Sequence, residues 1–195
     1  MIIPAPLPCA IFLLLAIGLA GVAHVAWLRS PWSLPFARAI DGGLLLRNHR
    51  IFGDNKTVRG LMMMPPASAA TFALFAAYRD SLPSWFAAGI WDLPTAQMAV
   101  VGFFCGLAFM LAELPNSMFK RQLDVAPGEA PAGAALRMFC LFLDRTDSTL
   151  GVLIVLSIML PVHPLTWLWT LLLGTGLHWI FSIWLYRLNL KRRPS

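Results

Sequence analysis

Two groups of polar residues stand out for the chemistry they could do together. Asp144 and Asp147, in F-L-D-R-T-D, are three apart, so a helix would set both carboxylates on one face. Carboxylates that close repel unless a cation sits between them. Magnesium suits such a pair, because it takes one or two carboxylates and completes its shell with water and phosphate oxygens. The same pair, followed by Ser148 and Thr149, is equally what a helix N-terminus prefers, where acids favour the dipole. Upstream, N-S-M-F-K-R places Ser117, Lys120 and Arg121 at i, i+3 and i+4, beside Asn116. Lys and Arg on one helical face can cradle phosphates, Arg as a fork and Lys as a point charge. A K-R pair beside a membrane span is also an ordinary anchor. Glu113, one turn earlier, reads as a partner for Lys120 or Arg121, or as an interfacial acid.

A third group is G-D-N-K-T-V-R-G, Gly53 to Gly60, which brackets Asn55, Lys56, Thr57 and Arg59 between two glycines. Glycine lets backbone amides turn toward an anion. The Walker pattern G-x-x-x-x-G-K-[ST] is absent, and an ordinary basic loop on a tight turn explains the stretch as well. Asp54 and Asn55 could touch metal or ribose, or only shape the turn. Other titratable residues have blander explanations. His24 and His178 fall in or near apolar runs, where a neutral His bonded to the next helix is the common case. Cys9, Cys105 and Cys140 show neither CxxC nor Cys/His ligand spacing, so they read as buried thiols. Met62 to Met64 read as packing, and Trp167, Trp169, Trp179 and Trp184 as interfacial belts and packing.

The elements that must hold these groups are membrane spans. The 195 residues are 58% apolar and 12% charged, with a mean hydropathy of +0.71; a soluble domain sits nearer about half apolar and about a quarter charged. No basic segment precedes the first apolar run, so a cleavable signal peptide is not expected. A span needs roughly 20 mostly apolar residues. The runs that qualify are Leu7 to Leu28, Leu61 to Tyr78 (with Pro65-Pro66, predicting a kink or a late start), Pro94 to Leu114, Ser148 to Val162 and Pro164 to Leu188. Ser148 to Val162 is short unless its helix starts inside the Asp144–Asp147 group. Trp85 and Trp91 lie in the short segment Asp80 to Asp92 and suit a headgroup zone. The expectation is an all-α polytopic membrane protein: one domain over residues 1–195, five spans, no internal repeat.

With the N-terminus outside, the inner segments carry every Lys and Arg except Arg79: those of the first loop, those of the second, then Arg187, Lys191, Arg192 and Arg193. The positive-inside rule thus favours N-out, C-in, with both polar loops facing the cytoplasm. The positive charge then belongs to membrane topology, and no nucleic-acid partner is expected.

Taken together, S-M-F-K-R at Ser117 to Arg121 and D-R-T-D at Asp144 to Asp147 resemble the signature of CTP-dependent phosphatidate cytidylyltransferases, S-x-x-K-R followed after a spacer by D-R-x-D. The sequence is most similar to the shorter, five-span branch, the CDP-archaeol synthases. Gly53 to Gly60 resembles their G-x-N-K-T-x-R-G element, and Glu113 to Arg121 their E-x-x-N-S-x-x-K-R. The resemblance covers most of the chain. It departs in two places: Gln122 to Leu143 lacks the K-D and H-G-G elements of the phosphatidate enzymes, and Arg145 stands where the archaeal branch usually has Gln.

The resemblance implies a magnesium-dependent transfer of a cytidylyl group from CTP to a membrane lipid phosphate, giving CDP-lipid and pyrophosphate in phospholipid biosynthesis. It implies Lys120, Asp144 and Asp147 as catalytic residues, with magnesium on the two aspartates. Asn55, Lys56, Thr57, Arg59, Asn116, Ser117 and Arg121 would bind substrate, and which basic residue meets CTP and which the lipid phosphate is open. The enzyme would sit in the inner or plasma membrane of a prokaryotic cell, with a homodimer as one conceivable assembly. The rivals are a membrane transporter and a non-catalytic membrane scaffold. The D-G-x-x-A-R pattern of CDP-alcohol phosphatidyltransferases is absent, since Asp41-Gly42 is not continued by Ala-Arg at that spacing.

Overall fold

The computed structural model describes residues 2–127, 129 and 131–187. Lys191, Arg192 and Arg193, and the side chains of Arg187, His178 and Trp184, lie outside the described residues. The long helices are α1 (Pro6–Arg29), α2 (Val58–Ala77), α4 (Thr95–Gln122), α5 (Ala134–Met159) and α6 (Pro164–Arg187), with a one-turn helix α3 at Ser84–Ala87. Three of them, α1, α2 and α4, are long and apolar enough to cross a bilayer, and the protein is an integral membrane protein. The α5 and α6 helices, at 26 and 24 residues, have the length to cross as well.

The five long helices form a closed circuit in which α1 packs on α2, α2 on α4, α4 on α5, α5 on α6 and α6 back on α1. Without a water-driven hydrophobic effect, spans associate through small residues that let backbones approach. Gly102 and Gly106 on α4 do this against α2: a Cβ at Gly106 would lie 2.6 Å from Ser68 Oγ and 2.7 Å from the Met64 carbonyl oxygen. Gly151 on α5 does the same against Ala108 and Ala112 of α4. At the end holding the α1 N-terminus, Phe12 meets Phe72 and Trp91 edge-on at 5.1 and 6.4 Å. The Trp91 Nε1 donates to the Pro161 carbonyl at 3.1 Å. Trp91 is therefore a core residue joining the α2–α4 and α5–α6 connections, and only Trp85 keeps the exposure expected of the headgroup zone.

Several expected boundaries move. The α2 helix starts at Val58, ahead of Leu61, and runs through Pro65-Pro66. The late start is not observed: the helix is continuous through both prolines, each of which removes only one ladder bond, and packing against α4 holds it. Likewise α4 continues through Pro115 to Gln122 instead of ending at Leu114. The largest change is α5, which begins at Ala134 and not beside Ser148. Asp144 and Asp147 are thus inside a helix, nearly three turns from its N-terminus, and the helix-start explanation for them fails. Both connections at the opposite end from Trp91, residues 30–57 and 123–133, leave from the α1 C-terminus and the α4 C-terminus.

Candidate active site

The first of those connections is built around one carboxylate. Asp41, with a fully buried side chain, accepts from Arg50 Nη2 at 2.5 Å and from the backbone amides of Gly43, Phe52 and Gly53 at 3.1, 3.0 and 3.1 Å. Burial alone would push this carboxyl up; the Arg50 guanidinium and the three amides outweigh it and hold it well below the usual carboxylate range. Arg50 Nη1 also reaches Asp54 at 2.7 Å. Between these anchors β1 (Leu45–Leu46) and β2 (His49–Arg50) form a two-residue hairpin. Arg47 and Asn48 both take positive φ there, as a primed turn requires. His49 Nδ1 lies 2.8 Å from Asp124 Oδ1, which ties the hairpin to the end of α4. Gly53, at φ +89°, is a position where a side chain would be strained, and a Cβ there would lie 3.3 Å from Arg121 Nε.

This loop delivers Lys56 to α4, where its Nζ pairs with Glu113 Oε2. Glu113 Oε1 accepts from Ser148 Oγ on α5 at 3.0 Å. Asp147 Oδ1 accepts from the Ser148 amide at 2.7 Å. The Asn116 Nδ2 on α4 then donates to both aspartates of α5, to Asp147 Oδ2 at 3.0 Å and Asp144 Oδ1 at 2.7 Å. Lys120 Nζ closes the series on Asp144 Oδ1. One continuous polar path thus runs Lys56, Glu113, Ser148, Asp147, Asn116, Asp144, Lys120, with members from the first loop, α4 and α5. The path joins residues of all three sequence groups through Glu113 and Ser148; Glu113, read from the sequence as a partner for Lys120 or Arg121, pairs instead with Lys56 and Ser148, and Ser148 reads from the sequence only as part of a helix start. Their signal was the i, i+3 spacing of Glu113 to Asn116 and the adjacency of Ser148 to Asp147.

Other predicted residues sit differently. Arg121 is buried, and its Nη1 donates to the Val125 carbonyl, so its guanidinium braces the turn after α4. Ser117 is buried beside Asn116, and the exposed Asn55 precedes Lys56 on the loop. Thr57 caps α2 by position without a side-chain bond. Arg59 lies in the first turn of α2, where its carbonyl accepts from Trp27 Nε1 at 3.1 Å. Arg145 stacks over the Trp179 ring of α6 at 5.1 Å.

The charges do not balance. Glu113 and Asp144 each have a lysine, whereas Asp147 has no cation within ion-pair distance among the described residues. A partly buried carboxylate without a counter-charge is costly. The Asn116 Oδ1 beside it is a buried oxygen with no partner. Two carboxylates and a free amide oxygen form a hard-oxygen donor set, which suits magnesium rather than zinc or copper. Among the described residues no group of three or more His, Cys, Asp or Glu could hold a metal. A cation here would therefore need water or a substrate's phosphate oxygens to complete its shell.

No protein-family model matches the chain, and no curated protein matches it in sequence. Among solved structures, the chain is similar to one described as an intramembrane enzyme for archaeal membrane lipid biosynthesis. The TM-score is 0.64 and the identity 23%, over 89% of this chain and 92% of that one. At that identity the likeness establishes a shared fold over nearly the full length of both.

Proposed function

We propose that the protein is a CTP-dependent lipid-phosphate cytidylyltransferase of the CDP-archaeol synthase type, spanning the membrane five times with its active site on the cytoplasmic side. The observation that carries this is the polar path joining the three sequence motifs, with Asp147 left short of one cation. The fold shared with an intramembrane lipid-biosynthesis enzyme supports it. So does the position of the site, which lies where the α1–α2 and α4–α5 connections meet, the end that the basic residues of both loops mark as cytoplasmic.

The reaction would join a phosphate oxygen of the lipid to the α-phosphorus of CTP and break the bond from that phosphorus to the bridging oxygen of pyrophosphate. The nucleophile belongs to the substrate, so no activated Ser, Cys or His is required. The protein's part is positioning and charge neutralisation. Asp144 and Asp147 would hold magnesium, which when bound neutralises phosphate charge. Asn116 would keep both carboxylates aimed at one point. Lys120, held in place on Asp144, would turn to a phosphate oxygen once the aspartate's charge is otherwise compensated. Arg121 holds the α4 end in shape from beneath. Lys56, Thr57 and Arg59 would bind phosphate of CTP or of the lipid.

The test is direct. Purified protein in detergent or nanodiscs, given labelled CTP, magnesium and a panel of lipid phosphates, should form a CDP-lipid from at least one. Failure with every ester- and ether-linked lipid phosphate would refute the proposal.

A further inference from the structure

A cavity of 320 Å³ lies on the other side of Glu113 from the aspartates, between α1, α2 and α4. Its two ends differ in chemistry. One wall is apolar and comes from three helices: Val25 and Leu28 of α1, Met64 of α2, Phe109 and Met110 of α4. Val25 is half exposed on the outer face of α1, so this wall reaches the lipid-facing surface. The other end holds Lys56, Arg59, His24 and the first turn of α2.

That polar end is short of partners. The His24 Nδ1 and Arg59 Nε are both buried without a hydrogen-bond partner. The first turn of α2 lies beside them, with its Val58 amide bonded to the Arg38 carbonyl at 2.9 Å and its Gly60 amide to the Thr57 carbonyl at 3.2 Å. Unpaired side-chain nitrogens of a His and an Arg, beside a Lys, suit an anion with several acceptor oxygens. Buried unpaired donors are uncommon enough to call for an occupant. Glu113, the carboxylate facing the cavity, is already bound by Lys56 and Ser148. An amphipathic molecule with an anionic head fits these ends; a free nucleotide, polar throughout, would leave the apolar wall unmatched.

We infer that this cavity is the lipid-phosphate subsite, with a phosphomonoester head on Arg59 and His24 and its chain along Val25, Met64 and Phe109, while the nucleotide occupies the Asp144–Lys120 side. This rests on the proposed cytidylyl transfer and divides its two substrates between the two sides of the Lys56–Glu113 pair. His24 is then a positioning residue for the lipid.

Gly21 lines the cavity, and a Cβ built on it meets nothing within 4 Å. Gly21→Leu should therefore fill the cavity without disturbing the helix packing. In detergent, binding of hexadecyl phosphate, hexadecanol, inorganic phosphate and CTP with magnesium is measured by titration calorimetry on wild type, Gly21→Leu and His24→Gln. Wild type should bind hexadecyl phosphate at least about tenfold more tightly than either hexadecanol or inorganic phosphate, each of which lacks one half of the match. Gly21→Leu should lose hexadecyl phosphate binding, and His24→Gln should weaken it by about tenfold, the worth of one charge-assisted hydrogen bond. Both variants should keep wild-type CTP affinity. Unchanged hexadecyl phosphate binding in Gly21→Leu, or a loss of CTP affinity in either variant with alkyl phosphate binding intact, would overturn the assignment. A wild type that binds hexadecyl phosphate here yet makes no CDP-lipid would refute the transfer reaction and leave the subsite standing.

Discussion

Asn116 is the residue through which the proposed chemistry is organised. Its single amide nitrogen spans two aspartates one helical turn apart, which fixes their carboxylates toward a common point and leaves its own oxygen free. Asp147 is the member of that trio whose charge no lysine answers. Asp147→Asn removes the charge while keeping the shape and the Ser148 contact, so the variant should fold as wild type. Its turnover should fall by at least about a hundredfold, the scale of losing an electrostatic group at a phosphoryl centre. Comparing CDP-lipid formation with the melting temperature in the same detergent checks both halves. Undiminished activity would remove Asp147 from the site. Residue type and spacing put Lys120 and the two aspartates forward as candidates but left the anchor and helix-start explanations open, and only the resemblance gave them roles. The place of Arg121 was not legible, because nothing in K-R says which of two adjacent cations points to the site; that depends on where the helix ends, and the turn at 123–125 claims the arginine.

Among the elements, the first loop is held by Asp41, and this hub makes a pH prediction. The folded value of its carboxyl lies below the unfolded one, so its contribution is present above the unfolded value of about 3.9 and is lost as pH falls through the folded value. Hydrogen-exchange protection of the Phe52 and Gly53 amides should therefore persist through pH 5 and fail only in strong acid. At neutral pH, Asp41→Ala should open the loop and speed trypsin cleavage after Arg47 and Arg50 severalfold. Loss of protection already near pH 6 would show that some other group holds the loop. The helix interfaces carry a second prediction. Gly106→Leu drives a side chain into the Met64 carbonyl and Ser68, and should cost about 1–3 kcal/mol through overpacking; an unchanged melting temperature would mean that α2 and α4 can separate freely. Of these elements, the apolar runs gave the helices their approximate places, but their ends were misjudged for a consistent reason. Pro65-Pro66 read as a kink or late start, the third span as ending at Leu114, and the fourth helix as starting no earlier than the Asp144–Asp147 group. Packing against neighbouring helices overrides these signals, and no local pattern reports it. The Asp41 hub was invisible for a similar reason, since three of its four partners lie nine to twelve residues away.

At the scale of the whole molecule, a closed circuit of five helices gathers two distant connections at one end and buries an aromatic cluster at the other. In the proposed account, the distribution of Lys and Arg orients that arrangement with the site inward. Cys9, Cys105 and Cys140 are all buried, so single cysteines can be placed by substitution at Arg47 and at Trp85 and probed in intact cells. A membrane-impermeant maleimide should label Trp85→Cys and spare Arg47→Cys until the cells are opened; the reverse pattern would invert the protein and remove the site from the nucleotide pool. The central claim, that side chains from separate segments build one cation-holding pocket for nucleotide phosphates, is tested most directly by replacing magnesium with manganese. Pulsed electron paramagnetic resonance on the purified protein with Mn²⁺ and CTP should show a bound ion coupled to phosphorus, and the signal should vanish in Asp144→Asn/Asp147→Asn. A phosphorus-coupled ion that survives in the double variant, or none in the wild type, would contradict the account.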